Sequence, residues 1–130
     1  MFRRKPSPSP LERSLALSMA AGRVGIGAVA LLATRPGLRA LGFDADNSSA
    51  RALGRMAGAR DLTLAALQLS NLDDSAGLRQ ATLVAAGADA ADAAIFLAAS
   101  RHPELRRASA MSLPLAAGAV AGGLWLAGRL

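Results

Sequence analysis

From Ala108 to Gly128 the chain carries no charged residue, and its apolar residues fall on every face of a helix. A stretch of about 20 such residues is enough to cross a hydrocarbon core of roughly 30 Å as an α-helix. A helix also satisfies its own backbone hydrogen bonds, which lipid cannot do for it. Of all the features in the sequence, this segment most narrows the fold, and it points to a membrane.

Three further segments follow the same plan. Residues 14–34 are apolar with a single charge, Arg23. Residues 50–72 hold Arg51, Arg55, Arg60 and Asp61 in their first half, and residues 78–100 hold Asp89 and Asp92. The connections carry breakers and caps. Arg35-Pro36-Gly37 stops the first segment, and Asp46, Asn47, Ser48 and Ser49 offer N-caps to the second. Asn71-Leu72-Asp73-Asp74-Ser75 is a tight polar turn, and Arg101-His102-Pro103-Glu104 separates the last two segments. Leu38, Leu41 and Phe43, set around Arg39, suit a short interfacial half-helix. Short connections make neighbouring helices antiparallel. The expected fold is all-α: a four-transmembrane-helix antiparallel bundle over 13–130, with spans at about 14–34, 50–72, 78–100 and 108–128. Residues 1–12, rich in Pro and Ser around Arg3-Arg4-Lys5, read as a disordered basic tail.

Composition agrees. Charged residues make up 18% of the chain, against about 25% in soluble domains. The apolar content is mostly Ala, Leu, Gly and Val, with only 3% aromatic residues. Small residues suit helices that approach closely in lipid. A soluble helical bundle is the rival fold, supported by the charges of 50–72 and a mean hydropathy of only +0.31. The net charge of +6 invites a nucleic-acid reading. The basic residues are scattered, however, and several lie inside apolar stretches, so the expected partner is the lipid bilayer and not nucleic acid. A signal peptide is a poor reading of the first segment, because Arg23 interrupts an apolar run that is already too long. The cluster Arg3-Arg4-Lys5 and the weight of the first helix favour a multi-pass protein of the cell membrane with a cytoplasmic N-terminus.

Five charges fall deep inside these spans: Arg23, Arg60, Asp61, Asp89 and Asp92. Each costs roughly 2.5–3.5 kcal/mol at the centre of a lipid-facing helix. They are therefore expected to face inward and pair. Counting from the turn near Asp74, Arg60 and Asp89 fall at the same depth. The same count about Gly42 sets Arg23 opposite Asp61. Asp89 and Asp92 share a helix face. The expected result is one mid-membrane polar layer built by three helices, with the fourth as an apolar wall. Arg is suited to such a layer because it stays ionised and can hold a carboxylate through two parallel hydrogen bonds.

Such a layer supports three function classes, in this order. It could bind a small polar ligand or a proton. It could fix helix packing in a structural or assembly subunit of a membrane complex. Or it could serve a membrane enzyme acting on a lipid-like substrate, with Asp89 or Asp61 as acid or base. Gly54-x-x-x-Gly58 and Gly118-x-x-x-Gly122 offer small-residue faces to another helix, in this chain or in a membrane partner. Gly22, Gly25 and Gly27 offer close approach around Arg23, and Trp125 suits an interfacial anchor. The sequence asks for no cofactor and no metal. It has no Cys, a lone His102, and a calcium-like start at Asp44-x-Asp46 that places Ser49 and Arg55 where Gly and Glu belong.

The motifs Gly22-Arg23, Gly58-Ala59-Arg60-Asp61 and Asp89-Ala90-Ala91-Asp92 resemble an uncharacterised group of small four-span membrane proteins, the family called domain of unknown function 4267. The resemblance covers roughly Ser14 to Leu130. It implies a four-helix membrane bundle and no particular activity.

Overall fold

A computed structural model describes residues 7–130, and among them every regular element is helical. The long helices are α1 (Pro10–Leu32), α3 (Ser48–Leu69), α4 (Ser75–Ala99) and α5 (Arg106–Ala127). Between α1 and α3 lies a short helix, α2 (Thr34–Ala40); a single 3-10 turn (Pro103–Leu105) leads into α5. The short α2 matches the half-helix expected around Leu38. The basic run Arg3-Arg4-Lys5 lies outside the described residues.

Local chemistry sets the helix ends. Ser9 and Glu12 form a reciprocal capping box, with the Ser9 amide donating to Glu12 at 2.7 Å and the Glu12 amide to Ser9 at 3.3 Å. Pro10 takes the first helical position, where no amide hydrogen is needed. The helix thus takes in the last three residues of the stretch read as tail. Asn47 caps α3 through the Ala50 amide at 3.1 Å, and Asp74 caps α4 through the Ala76 amide at 3.2 Å. Gly42, at φ +81, turns the chain between α2 and α3 in a conformation that L side chains resist.

Three helical segments are long and apolar enough to cross a membrane: Pro10–Leu32, Ser75–Ala99 and Pro103–Ala127. The expectation of four is met only in part. α3 has 22 residues, but Arg51, Arg55, Arg60 and Asp61 keep it below the apolarity of the other three. Large apolar side chains nevertheless stand exposed on all four long helices, among them Ile26, Leu53, Met56, Ile95 and Leu115. Patches of that extent mark a surface that meets something other than water.

The helices pack as two antiparallel pairs. α1 lies along α3, and α4 lies along α5, while the pairs meet each other more loosely. In the first pair a Cβ on Gly27 would stand 2.8 Å from the Gly58 carbonyl oxygen, and one on Gly58 would stand 2.6 Å from the Ala30 Cβ. The backbones are therefore in direct contact, as small residues permit. In the second pair a Cβ on Gly123 would meet the Ala86 Cβ at 3.0 Å. Gly54 faces Leu38 of α2 at 3.3 Å, so both glycines of Gly54-x-x-x-Gly58 are used inside the chain. Gly22, Gly25, Gly118 and Gly122 face open space. The expected close approach around Arg23 thus comes from Gly27 alone. In the second pair it comes from Gly123 rather than its neighbour Gly122, because one residue turns a side chain by roughly 100°.

The two halves also echo one another in sequence. At the 66-residue spacing that separates Arg23 from Asp89, Arg13 corresponds to Arg79, Ala20 to Ala86, Thr34 to Ser100 and Arg35 to Arg101. One residue further along, Pro36, Leu38 and Arg39 correspond to Pro103, Leu105 and Arg106. Each half is a long helix, a short helical link and a second long helix. Arg23 and Asp89 occupy the same place in the two halves and carry opposite charges.

Candidate functional site

All five charges singled out in the sequence come together, near the middle of three helices. Arg23 of α1 is buried and donates through Nη1 to Asp61 Oδ1 of α3 at 3.1 Å. Its Nη2 donates to Asp89 Oδ2 of α4. Asp61 and Asp89 are themselves buried. On the flank, Arg60 forms a two-pronged bond with Asp92, Nη1 to Oδ1 at 2.7 Å and Nη2 to Oδ2 at 2.5 Å. Arg60 Nη2 also lies 3.9 Å from Asp61 Oδ1. The five groups form a ladder of alternating sign: Asp89, Arg23, Asp61, Arg60, Asp92.

The glycine contact explains why the ladder forms here. Arg23 lies one turn before Gly27, and Asp61 lies three residues after Gly58. The touching backbones at Gly27 and Gly58 bring these two side chains within one hydrogen bond of each other. The α4 carboxylates approach from the looser side, where a long guanidinium can reach across to them. Charge-assisted hydrogen bonds of this kind are the stronger ones.

The pairing of Arg23 with Asp61 agrees with the depth count. The pairing of Arg60 with Asp89 does not. Asp89 belongs to Arg23, and Arg60 takes Asp92, one turn along α4. Counting residues from a turn gives depth but not direction. Arg60 and Asp61 sit at nearly one level yet point roughly 100° apart. Asp61 therefore faces α1, and Arg60 faces the flank. Arg55, nearer the start of α3, lies outside the ladder and donates through Nε to Thr34 Oγ1 at 3.3 Å.

Two polar features escaped the sequence reading. Gln68 and Thr82 are fully buried and meet across α3 and α4, with Nε2 3.5 Å from Oγ1. Their rough level could have been read from the same turn count, since Gln68 lies six residues before Asp74 and Thr82 eight after it. α5 is also less of an apolar wall than expected. Ser109 and Ser112 are buried, and their hydroxyls have no hydrogen-bond partner among the described residues.

The ends of the bundle differ from the middle. At the end near the α3–α4 turn, Arg13 pairs with Asp73, and Arg79 Nε donates to the Ala127 carbonyl at 3.1 Å. Leu78, Leu126 and Ala16 form a small buried cluster there. Trp125 is half exposed, with the Arg129 guanidinium 4.7 Å above its ring. This is the amphipathic pairing expected of an interfacial anchor. At the opposite end Phe43 and Phe96 meet as a tilted pair with centroids 6.2 Å apart. Among the described residues no three His, Cys, Asp or Glu side chains are placed to hold a metal ion.

No family model, no curated protein and no solved structure matches the chain.

Proposed function

We propose that the chain is a membrane-embedded four-helix module in which the Arg–Asp ladder latches one helix pair to the other. In this reading α3 is the fourth crossing. Leu53 and Met56 face lipid while Arg60 and Asp61 turn toward the other helices. The carrying observation is the reach of Arg23, which holds Asp61 of its own pair and Asp89 of the other at once. The two pairs otherwise meet loosely, so the charges do the work that close packing does within each pair. A buried charge network of this kind specifies which surfaces meet, and breaking one member exposes the others. The latch suits a scaffold or assembly subunit.

The chain has no Cys, so contact between the pairs can be read directly. Cysteines placed at Gln68 and Thr82 should form a disulfide in membranes. Adding Arg23→Met should slow that cross-link several-fold, and adding Asp61→Leu and Asp89→Leu to Arg23→Met should bring it back. A cross-link that forms equally fast with Arg23→Met alone would end the latch reading.

A second reading, proton binding, rests on one count. The ladder holds two guanidiniums, Arg23 and Arg60, and three carboxylates, Asp61, Asp89 and Asp92. The unequal number leaves one carboxylate without a full counter-charge, and Asp61 and Asp89 share Arg23. An intramembrane carboxylate without a full counter-charge is a candidate place to bind a proton. Infrared difference spectra taken across a pH step should show a carboxyl band that Asp61→Asn or Asp89→Asn removes. A spectrum without that band in the unsubstituted protein would sink this second reading and leave the latch standing.

A further inference from the structure

At the Thr34 end of the bundle, between the α1–α2 junction and the start of α3, lies a cleft of about 360 Å³. Its wall includes Arg35, Arg51, Arg55, Thr34 and Leu32. Three arginines on one cleft would ordinarily find carboxylates. Here, among the described residues, none of the three forms an ion pair. Arg55 spends Nε on Thr34 Oγ1 and, among the described residues, keeps both terminal nitrogens free of partners. Arg51 Nη1 donates to the Ala45 and Asp46 carbonyls at 3.2 and 2.7 Å, contacts that fix the side chain without neutralising it. The Arg35 side chain makes no hydrogen bond among the described residues. The nearby carboxylates are engaged elsewhere: Asp46 lies 3.6 Å from Arg39, and Asp44 accepts from the Asp46 amide at 3.0 Å. The cleft therefore keeps an excess of positive charge and a set of free guanidinium donors.

The rim is apolar. Leu32 ends α1 with 89% of its surface exposed. Guanidinium forks match the oxygens of phosphate, and an apolar lip beside them matches an amphiphile. Basic pockets between membrane helices take lipid head groups for this reason.

We infer that the Arg35–Arg51–Arg55 cleft binds a phosphate-bearing anionic head group. The shared chemistry is a phosphate held by two or three guanidiniums. The source is either an anionic phospholipid or a soluble phosphate. The inference goes beyond the latch and does not rest on it, since none of the three arginines belongs to the ladder.

The test uses the full chain purified in a neutral detergent, with its melting temperature followed as three probes are added: phosphatidylglycerol, phosphatidylcholine and inorganic phosphate. The expected result is stabilisation by phosphatidylglycerol and not by phosphatidylcholine. The variant Arg35→Gln/Arg55→Gln should need at least about tenfold more phosphatidylglycerol for the same shift, since charged hydrogen bonds are being removed. The control Arg101→Gln/Arg106→Gln removes two arginines from the matching region of the other half and should respond like the unsubstituted protein. If inorganic phosphate gives the full shift by itself, the cleft is a soluble-phosphate site. If phosphatidylglycerol is required, it is a lipid site. Absence of stabilisation by either probe overturns the inference. So does a control variant that loses the response as fully as Arg35→Gln/Arg55→Gln, because general basic attraction would then explain the binding. Native mass spectrometry of retained lipid gives the same comparison where a variant melts too early for thermal measurement.

Discussion

The α1–α3 pair and the α4–α5 pair are close in length, in topology and in the spacing of their landmark residues, yet they carry opposite burdens. The first pair holds both guanidiniums of the ladder and one carboxylate. The second holds two carboxylates and no guanidinium. Within the first pair the glycine contact at Gly27 and Gly58 sets a charge pair beside the crossing. Within the second, Ala86 and Gly123 make an apolar crossing, and Asp89 and Asp92 reach away from α5 toward the other half. Alone in lipid, the second pair would expose two uncompensated carboxylates, each costing roughly 2.5–3.5 kcal/mol at mid-membrane. The comparison teaches that each half supplies its own packing but not its own electrostatics. Association of the two sets every carboxylate of the ladder against a guanidinium.

The sharpest way to break this comparison is Arg23→Met. It strands Asp61 and Asp89 against each other, and unfolding in detergent should show a loss of about 3–5 kcal/mol, the usual cost of deleting one partner of a buried pair. A loss under ~1 kcal/mol would mean that the halves hold together by other means. Next is Gly58→Leu, which forces a side chain where even an added Cβ would stand 2.6 Å from the Ala30 Cβ. Overpacking of this kind costs about 1–3 kcal/mol, and Gly118→Leu, at an open site, should change the same melting curve little. A Gly118 variant as damaging as the Gly58 variant would show that α5 is covered by something outside this chain. Asp92→Asn should cost less than Arg23→Met. Asp92 and Arg60 lie at the flank with side chains 25% and 36% exposed, so solvent or head groups can replace part of the lost bond. The expected loss is about 1–2 kcal/mol. The smallest effect should come from Gln68→Met. The Gln68–Thr82 contact is long at 3.5 Å and leaves the Gln68 Oε1 buried without a partner. Removing that amide should leave stability within about 1 kcal/mol or raise it slightly. A large loss there would make Gln68, and not only the ladder, a tie between the halves.

Much of this was legible in the residues themselves. The apolar run from Ala108 to Gly128, the breakers at Pro36 and Pro103, the cap at Asn47 and the polar turn from Asn71 to Ser75 mark out four long helices. Hydrophobic length and capping act over a few neighbours, so the linear sequence contains them in full. The cost of a charge in lipid likewise singles out Arg23, Arg60, Asp61, Asp89 and Asp92 and requires that they meet. Only the tertiary structure decided who meets whom. Whether Arg60 takes Asp89 or Asp92 depends on helix rotation, where one residue means roughly 100°, and on which backbones touch. The contact of Gly27 with Gly58 and the idleness of Gly118 and Gly122 are likewise matters of packing between distant segments. The unpaired arginines at Arg35, Arg51 and Arg55 belong to the same class. The sequence shows that they are basic, but their convergence on one cleft arises only when the end of α1 is folded beside the start of α3.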